Sequence, residues 1–383
     1  MAPRELPPAW RAWRGGPGRR WGLAVGGAVL AVGLAVLASG CSTVAYLGQS
    51  VGGHLSLMAA ARPVPEVLAD ARSDDTLKAQ LALSQRLRDF AVSALQLPDN
   101  GSYRRYAALD RPAAVWNVAA TSELSLKLHT WCFPVTGCIG YRGYYALADA
   151  EAEAAGLRAQ GLEVTVYPVP AYSTLGKLEW LGGDPLLSTF IRWPEHELAR
   201  LIFHELAHQV AYAQDDTAFN ESFATAVEQL GISAWIDHRQ EAGLAARFAQ
   251  SQARRAAFTA LTRGARARLQ VLYASGLPAE RLREAKAAEF ARLQADYRVL
   301  RDGPWAGFAG YDAYFARVNN ATLALQGAYL DQVDRFIACH RELGGDWSAF
   351  YDRVRQLARL PASARQAGLA ACGHGPADPH AGA

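Results

Sequence analysis

The residues of this chain best suited to chemistry are two histidines four positions apart, with a glutamate directly after the first. They lie in the segment His204–His208, which reads HELAH, and Asn220 and Glu221 follow shortly after it. On a helix, residues four apart share one face, so both imidazoles can bind one ion, and Glu221 would be a third ligand. Glu205 is turned roughly 100° from His204, which favours a base acting on water over a ligand.

Two imidazoles and one carboxylate are a zinc ligand set that leaves a fourth position for water. The cation would lower the pKa of that water, and Glu205 would take the proton and pass it to the leaving amine of a peptide bond. We therefore predict one Zn²⁺ ion held by His204, His208 and Glu221, with Glu205 as the catalytic base.

Simpler interpretations of the same residues exist. The histidines could be surface residues of a helix, or they could bind a metal without catalysis. Glu221 could be an acid that only stabilises a helix start through the helix dipole. Glu228 lies seven residues later on the same face, and it is an alternative ligand or a partner for an imidazole N–H.

The motif requires two helices joined by a turn. Pro194 suits the start of the first helix, and Gln214–Thr217 supplies capping residues for a second one from about Ala218 through Gly231. One continuous helix would carry Glu221 roughly 20 Å past His208. An antiparallel helix pair is therefore predicted.

The rest of the chain predicts an α+β fold that is mostly α, with a small mixed or antiparallel sheet beside a helical zinc-peptidase core. Leucines at helical spacing indicate two helices between residues 44 and 97, and Leu97–Ser102 is a strong turn signal. Short β-prone stretches occupy residues 114–170, with a helix from Ala146 to Gln160 between them. Beyond Pro194 the chain is predicted to be almost entirely helical. We expect a single metallopeptidase domain over residues 41–371, with parts 41–113, 114–192 and 193–371, and a flexible tail over 372–383.

The N-terminus indicates export. Arginines precede an apolar run from Trp21 to Ala38, and Ser39, Gly40 and Cys41 come next, so residues 1–40 are predicted to be a signal peptide. The run is also long enough to be a retained membrane helix, which is the alternative. With 51% hydrophobic and 20% charged residues and a net charge of +3, the composition is that of a globular protein and gives no reason to expect a nucleic-acid partner.

The cysteine count agrees with export. Besides Cys41, the chain has an even set suited to disulfides in an oxidising compartment, namely Cys132, Cys138, Cys339 and Cys372. We predict the pairs Cys132–Cys138 and Cys339–Cys372, with four reduced thiols as the alternative.

Several segments resemble known families. Leu37–Cys41 resembles a bacterial lipobox, which implies cleavage before Cys41 and a lipid anchor on that cysteine. Ser42 then favours the outer membrane over the inner one. Phe219–Ala224 is similar to the segment that carries the third zinc ligand in gluzincin aminopeptidases, although the interval from His208 is shorter than usual there.

A narrower family matches better. It is the bacterial lipoprotein "predicted aminopeptidases", and the similar segments are His204–Gln209, Asp216–Thr225, Gly140–Tyr145, Tyr172–Gly176 and Asn319–Ala321. The resemblance extends from Cys41 to about Tyr351. It implies peptidase activity, and aminopeptidase action in particular.

Candidates for binding the substrate carboxylate or the oxyanion are Arg142 and Tyr144, which precede the metal helix, and Tyr311. Packing is the alternative role for each. Val166–Ser173 could be an edge strand that holds an extended peptide, and ordinary sheet pairing explains the same pattern.

The sequence therefore predicts a zinc-dependent peptidase acting on peptide substrates at the bacterial cell envelope. The protein would be attached to the membrane through an N-terminal lipid and would face the periplasm. The alternatives are an endopeptidase acting on envelope or cell-wall peptides, and a non-catalytic lipoprotein.

Overall fold

The structure, a computed structural model, describes residues 46, 48–133, 137–171, 182–326 and 332–372. The predicted signal peptide, Cys41, the segment Tyr172–Gly176 and the tail after residue 372 lie outside the described residues. The chain divides into two units, residues 1–54 and 55–383. The described part of the first unit is helical, and the second unit holds all the elements labelled below.

The second unit begins with helices and a turn. Residues 55–60 are helical (α1), and α2 (Val64–Ala69) and α3 (Asp75–Ser93) follow. The Asp74 side chain accepts a hydrogen bond from Leu77 N at 2.8 Å and so caps α3. Arg88 of α3 is fully buried and donates to the carbonyl oxygens of Ser102 and Pro98, which fixes the predicted turn against the helix.

Within the described residues, the strands form three small sheets. One contains β1 (Arg62–Pro63), β2 (Arg105–Ala107) and β8 (Leu186–Leu187), where β2 pairs antiparallel with β1 and parallel with β8. The second has the order β6-β3-β7 and contains β3 (Val115–Ser122), β6 (Arg142–Tyr144) and β7 (Leu162–Val169). The third is the hairpin of β4 (Trp131–Phe133) and β5 (Gly137–Ile139).

The second sheet is antiparallel throughout. Its central strand β3 is almost entirely buried and pairs with β7 over its whole length, from Val115 opposite Val169 to Ser122 opposite Leu162. Helix α4 (Leu147–Ala159) connects β6 to β7 and packs on β3 and β7. Among the described strands β7 pairs only with β3, so β7 is an edge strand.

The remainder is helical, as the sequence predicts. The helices are α5 (Glu195–Ala207), α6 (Thr217–Arg239), α7 (Leu244–Tyr273), α8 (Ala279–Asp302), α9 (Asp312–Phe315), α10 (Asn320–Gln326), α11 (Val333–Glu342), α12 (Trp347–Ala358) and α13 (Ala362–Ala370). The predicted fold class, mostly α with a small sheet, is confirmed. No helix within the described ranges is long and apolar enough to cross a membrane.

Two predicted boundaries differ from the structure. The N-terminal part contains the short helix α2 and the two-residue strand β1 besides its longer helical stretches, because Arg62–Pro63 pairs with β2. Helix α6 continues past Gly231 to Arg239. A Cβ at Gly231 would lie 2.8 Å from Leu95 Cδ1 and 2.9 Å from Phe203 Cδ2, so this glycine permits close helix packing instead of ending the helix.

Both predicted cysteine pairs are at bonding distance. Cys132 and Cys138 close the β4–β5 hairpin, and Cys339 of α11 is bonded to Cys372 after α13. The second bond ties the last described residue to the core, where Cys339 and Cys372 are both buried.

Candidate metal centre

Helices α5 and α6 form the antiparallel pair that the motif requires. The first residue of α5, Glu195, accepts a hydrogen bond from Arg239 Nε at the end of α6, at 2.9 Å. At the other end of the pair, His204 lies beside Glu221, the fifth residue of α6. The connection therefore returns the chain and brings the carboxylate back to the histidines.

Side chains of the connection hold this return in place. Asp216 caps α6 by accepting from Phe219 N at 3.0 Å. Asn220 is buried, and its amide makes two hydrogen bonds of 2.8 Å to the backbone of Ala213, one to the N–H and one to the carbonyl. The residue directly before Glu221 is thereby fixed to the connection between α5 and α6.

The three predicted ligands converge. His204 Nε2 and His208 Nε2 are 3.2 Å apart, and the Glu221 carboxylate lies 3.3 Å from His204 Nε2 and 3.7 Å from His208 Nε2. Among the described residues, this trio is a group of potential ligands whose donor atoms all lie within 4.8 Å of one another.

These separations fit zinc. Tetrahedral zinc with bonds of about 2.0–2.1 Å holds its ligand atoms roughly 3.3–3.4 Å apart. The donor set and its spacing therefore suit a small divalent ion.

Glu228 orients the first histidine. Its Oε2 lies 3.2 Å from His204 Nδ1, and its other carboxylate oxygen accepts hydrogen bonds from the buried Arg200. Because Nδ1 is bound to Glu228, Nε2 is the nitrogen that faces His208 and Glu221. Of the two roles that the sequence left open for Glu228, the geometry favours the partner of the imidazole N–H.

When no cation is bound, His204 and not His208 carries a proton on both ring nitrogens. Burial lowers the pKa of His204, but hydrogen bonds with Glu221 and Glu228 outweigh burial and raise it to about 10. Burial and the charge of His204 lower the pKa of His208 to about 4. Burial raises the pKa values of Glu221 and Glu228, but the hydrogen bond to His204 and the positive charges nearby together outweigh burial and lower both. The centre thus carries two carboxylates and one imidazolium, and a metal ion would take the place of that proton.

Glu205 lies close enough to His204 and to a buried tyrosine, Tyr103, for its charge to act on both. Burial and the charge of Glu205 raise the pKa of Tyr103, so this phenol is neutral. The Tyr103 hydroxyl is buried and has no hydrogen-bond partner within the described part of the chain. Glu205 itself is half-buried.

The centre opens into a cleft of about 740 Å³. Glu221 lines this cleft, together with residues 165 and 167–169 of β7 and with Tyr311 and Tyr314. The Glu221 side chain is 32% exposed, so a molecule in the cleft can reach this carboxylate.

The other predicted substrate candidates lie elsewhere. Arg142 and Tyr144 are buried in β6, where Arg142 is paired with Glu153 at 3.4 Å, and neither is among the described residues that line the cleft. Tyr311 does line the cleft and stacks on Phe258 with ring centroids 4.3 Å apart.

Two groups of residues at this site were not predicted from the sequence. One is Arg200, whose position four residues before His204 on the same face of α5 was the available signal. The other is a set of arginines on α7 that line the cleft, at positions 255, 263 and 266. Their spacing of eight and three residues places them on one helix face, but the sequence does not say what that face meets.

Comparison with known proteins gives one family. The family described as "Putative aminopeptidase" matches residues 45–369, which is most of the chain. No curated protein and no solved structure shows a significant match.

Proposed function

The chain belongs to the "Putative aminopeptidase" family, and from this membership and the geometry at His204 and His208 we propose that it is a zinc-dependent aminopeptidase. His204, His208 and Glu221 hold one zinc ion, and Glu205 is the catalytic base. The observation that carries the proposal is the convergence of the three ligands, with separations of 3.2 and 3.3 Å close to those of tetrahedral zinc and a third of 3.7 Å.

Different residues of the chain have different roles in peptide hydrolysis. A bound zinc ion would supply a Lewis acid that polarises the peptide carbonyl and makes water more acidic. Glu205 accepts the proton of the attacking water and returns it to the amine that leaves. Glu228 and Arg200 keep the His204 ring in place, and the cleft beside β7 holds the rest of the peptide.

We further propose that the protein acts at the bacterial cell envelope, anchored by a lipid on Cys41. The support is the arginine-led apolar run before Cys41 together with two cysteine pairs at bonding distance, since disulfides persist in oxidising compartments. Labelling of wild-type cells with a radioactive fatty acid, compared with cells that carry Cys41→Ala, tests this part. The label should be present in the wild type and absent from the variant, and an unlabelled wild type would contradict the anchor.

The catalytic proposal is tested by separating metal binding from turnover. Glu205→Gln should keep one zinc per chain and lose activity on peptides by about 10²- to 10⁴-fold, because the base is lost while the ligands remain. His208→Ala should lose both zinc and activity. His238→Ala is the matched control, because His238 is an exposed imidazole on α6 that packs on Phe90 and Trp235 away from the ligands.

Zinc content by elemental analysis and product release by mass spectrometry are the two readouts. Equal turnover by Glu205→Gln and the wild type would overturn the base assignment. The products also decide the kind of cleavage, since an aminopeptidase releases single N-terminal residues and an endopeptidase releases internal fragments.

A further inference from the structure

The charged residues of the cleft are unbalanced. Among its described lining residues there is one carboxylate, Glu221, against the guanidinium groups of Arg255, Arg263, Arg266 and Arg317. A zinc ion at the ligand set would neutralise the charge of Glu221 as well. Among the described lining residues, the cleft therefore presents more cationic than anionic side chains to a peptide that occupies it. We call these four residues the arginine cluster.

Three members of the cluster lie along one face of α7. Arg255, Arg263 and Arg266 span eleven residues of helix, which corresponds to about 16 Å at 1.5 Å per residue. Thr259 and Thr262 line the cleft from the same face. An extended peptide advances about 3.3 Å per residue, so this face is as long as roughly five peptide residues.

The arginines of the cluster differ in how far carboxylates of the protein compensate their charge. Arg255 is paired with Glu197 at 3.0 Å, so part of its charge is compensated. Arg266 and Arg317 have no carboxylate within 4.0 Å in the described ranges. Arg317 Nε donates to the carbonyl of Ala313 at 2.9 Å, which leaves its charge uncompensated.

Two hydrogen-bond donors of the cleft wall lack acceptors. Arg266 Nε and the Tyr314 hydroxyl are both buried, and neither has a hydrogen-bond partner among the residues that the structure describes. Burial raises the pKa of Tyr314, so its hydroxyl keeps its proton and remains a donor. Buried polar groups in folded proteins nearly always have partners, and both side chains line the cleft, so each could donate to an acceptor bound there after turning toward it. An ionised carboxylate is a group that only accepts.

We propose that the arginine cluster binds carboxylates of the peptide substrate, so that the enzyme prefers acidic peptides over neutral or basic ones. This inference rests on the proposed function for its substrate class, a peptide, and adds the chemistry that selects among peptides. The carboxylates belong either to aspartate and glutamate side chains or to the C-terminus of a short peptide.

Binding to a protein that cannot turn over tests the inference separately from catalysis. The protein is the full chain with Glu205→Gln, loaded with zinc, and the probes are four fluorescent six-residue peptides. One has two glutamates and an amidated C-terminus, one is neutral with a free C-terminus, one is neutral and amidated, and one has two lysines and is amidated. We expect at least one carboxylate peptide to bind roughly tenfold or more tightly than the neutral amide, and the lysine peptide to bind most weakly.

Removal of the arginines should abolish this preference. Arg266→Gln combined with Arg317→Gln is expected to bring the carboxylate peptides to within about twofold of the neutral amide, because hydrogen bonds to charged groups are lost. Arg298→Gln is the control, since Arg298 is an exposed arginine of α8 outside the described cleft lining, and it should keep the full preference. The preference should also weaken as salt is raised.

Each outcome bears on the inference. If the glutamate peptide binds more tightly, the arginine cluster binds acidic side chains. If the neutral peptide with a free C-terminus binds more tightly, the cluster binds the C-terminal carboxylate of short peptides. Equal binding of all four peptides, or a preference that survives loss of both arginines, would overturn it. Failure of the wild type to hydrolyse any peptide would instead count against the proposed function and leave the binding result standing.

Discussion

His204 is held from both sides, and this arrangement governs the chemistry of the centre. Its Nε2 faces Glu221 and its Nδ1 contacts Glu228, which is itself bound by Arg200. A ring fixed in this way has one nitrogen left for a metal and does not need to reorient when the metal binds.

Glu228→Gln tests the role of the oriented ring. The substitution keeps the size of the side chain but weakens the acceptor for His204 Nδ1, so zinc affinity is expected to fall by about 10- to 100-fold. Competition with a fluorescent zinc chelator measures the change. Glu195→Gln is the control, since Glu195 lies at the far end of the same helix pair and contacts Trp235 and Arg239. An unchanged affinity in Glu228→Gln would show that Glu228 does not support the ligand.

Zinc binding should depend on pH through His204. In the metal-free protein the pKa of His204 is raised to about 10, so zinc must displace one proton at any lower pH. His208, with a pKa of about 4, is already neutral near pH 7. The apparent dissociation constant of zinc is therefore expected to fall about tenfold for each unit by which the pH is raised between about 6 and 8. Calorimetry in two buffers should count close to one released proton, and no proton release would contradict this charge state.

At the scale of single residues, the sequence predicts which side chains come together at the centre, and the reason is helix geometry. Helix geometry alone predicts that the two histidines of the HELAH segment share one face, and only a turn is needed to bring Glu221 back to them, as the structure has it. Arg200 was missed because its role depends on Glu228 of another helix. Arg142 and Tyr144 were nominated by their residue types, and only the fold shows that they lie in β6 and not on the cleft.

At the scale of elements, the contact between α5 and α6 sets the position of Glu221. Gly231 of α6 lies where α6 approaches Phe203 of α5 and Leu95 most closely. In a sequence, a glycine within a helical pattern is more readily interpreted as the end of the helix than as a site of close packing. For this reason α6 was predicted to end at Gly231.

Gly231→Ala should destabilise the protein by about 1–3 kcal/mol, because a methyl group would have to displace Leu95 and Phe203. Urea unfolding of the full chain measures this effect. The matched control is Gly156→Ala in α4, where an added Cβ meets nothing within 4 Å. There we expect a gain of about 0.5–1 kcal/mol from helix propensity. A stable Gly231→Ala variant would mean that the helix pair is less tightly packed than the structure shows.

At the scale of the whole molecule, the described residues include two separate groups of buried hydrophobic side chains. One contains α5, α6 and α11–α13, and the other contains Ala265 and Leu269 of α7, Leu293 and Tyr297 of α8, and Trp305. The sequence predicts the helices and the sheet from local patterns. It does not predict that α7 lies beside β7 across a cleft, because that arrangement depends on contacts between residues about 90 positions apart.

The long-range disulfide should matter more for stability than the short one. Cys339 and Cys372 are 33 residues apart and Cys132 and Cys138 only six, so the first closes a much larger loop in the unfolded chain. Replacing Cys339 and Cys372 with alanine is expected to cost about 3–4 kcal/mol, and replacing Cys132 and Cys138 about 2 kcal/mol. Urea unfolding under oxidising conditions compares the two variants. The reverse order would contradict this ranking.

The central claim is that one zinc ion lies between His204, His208 and Glu221, and anomalous diffraction at the zinc absorption edge tests it most directly. In crystals of the zinc-loaded protein, we predict one strong anomalous peak within about 2.0–2.2 Å of both Nε2 atoms and of the Glu221 carboxylate. A zinc peak that excludes Glu221, or no peak between the two imidazoles, would contradict the account.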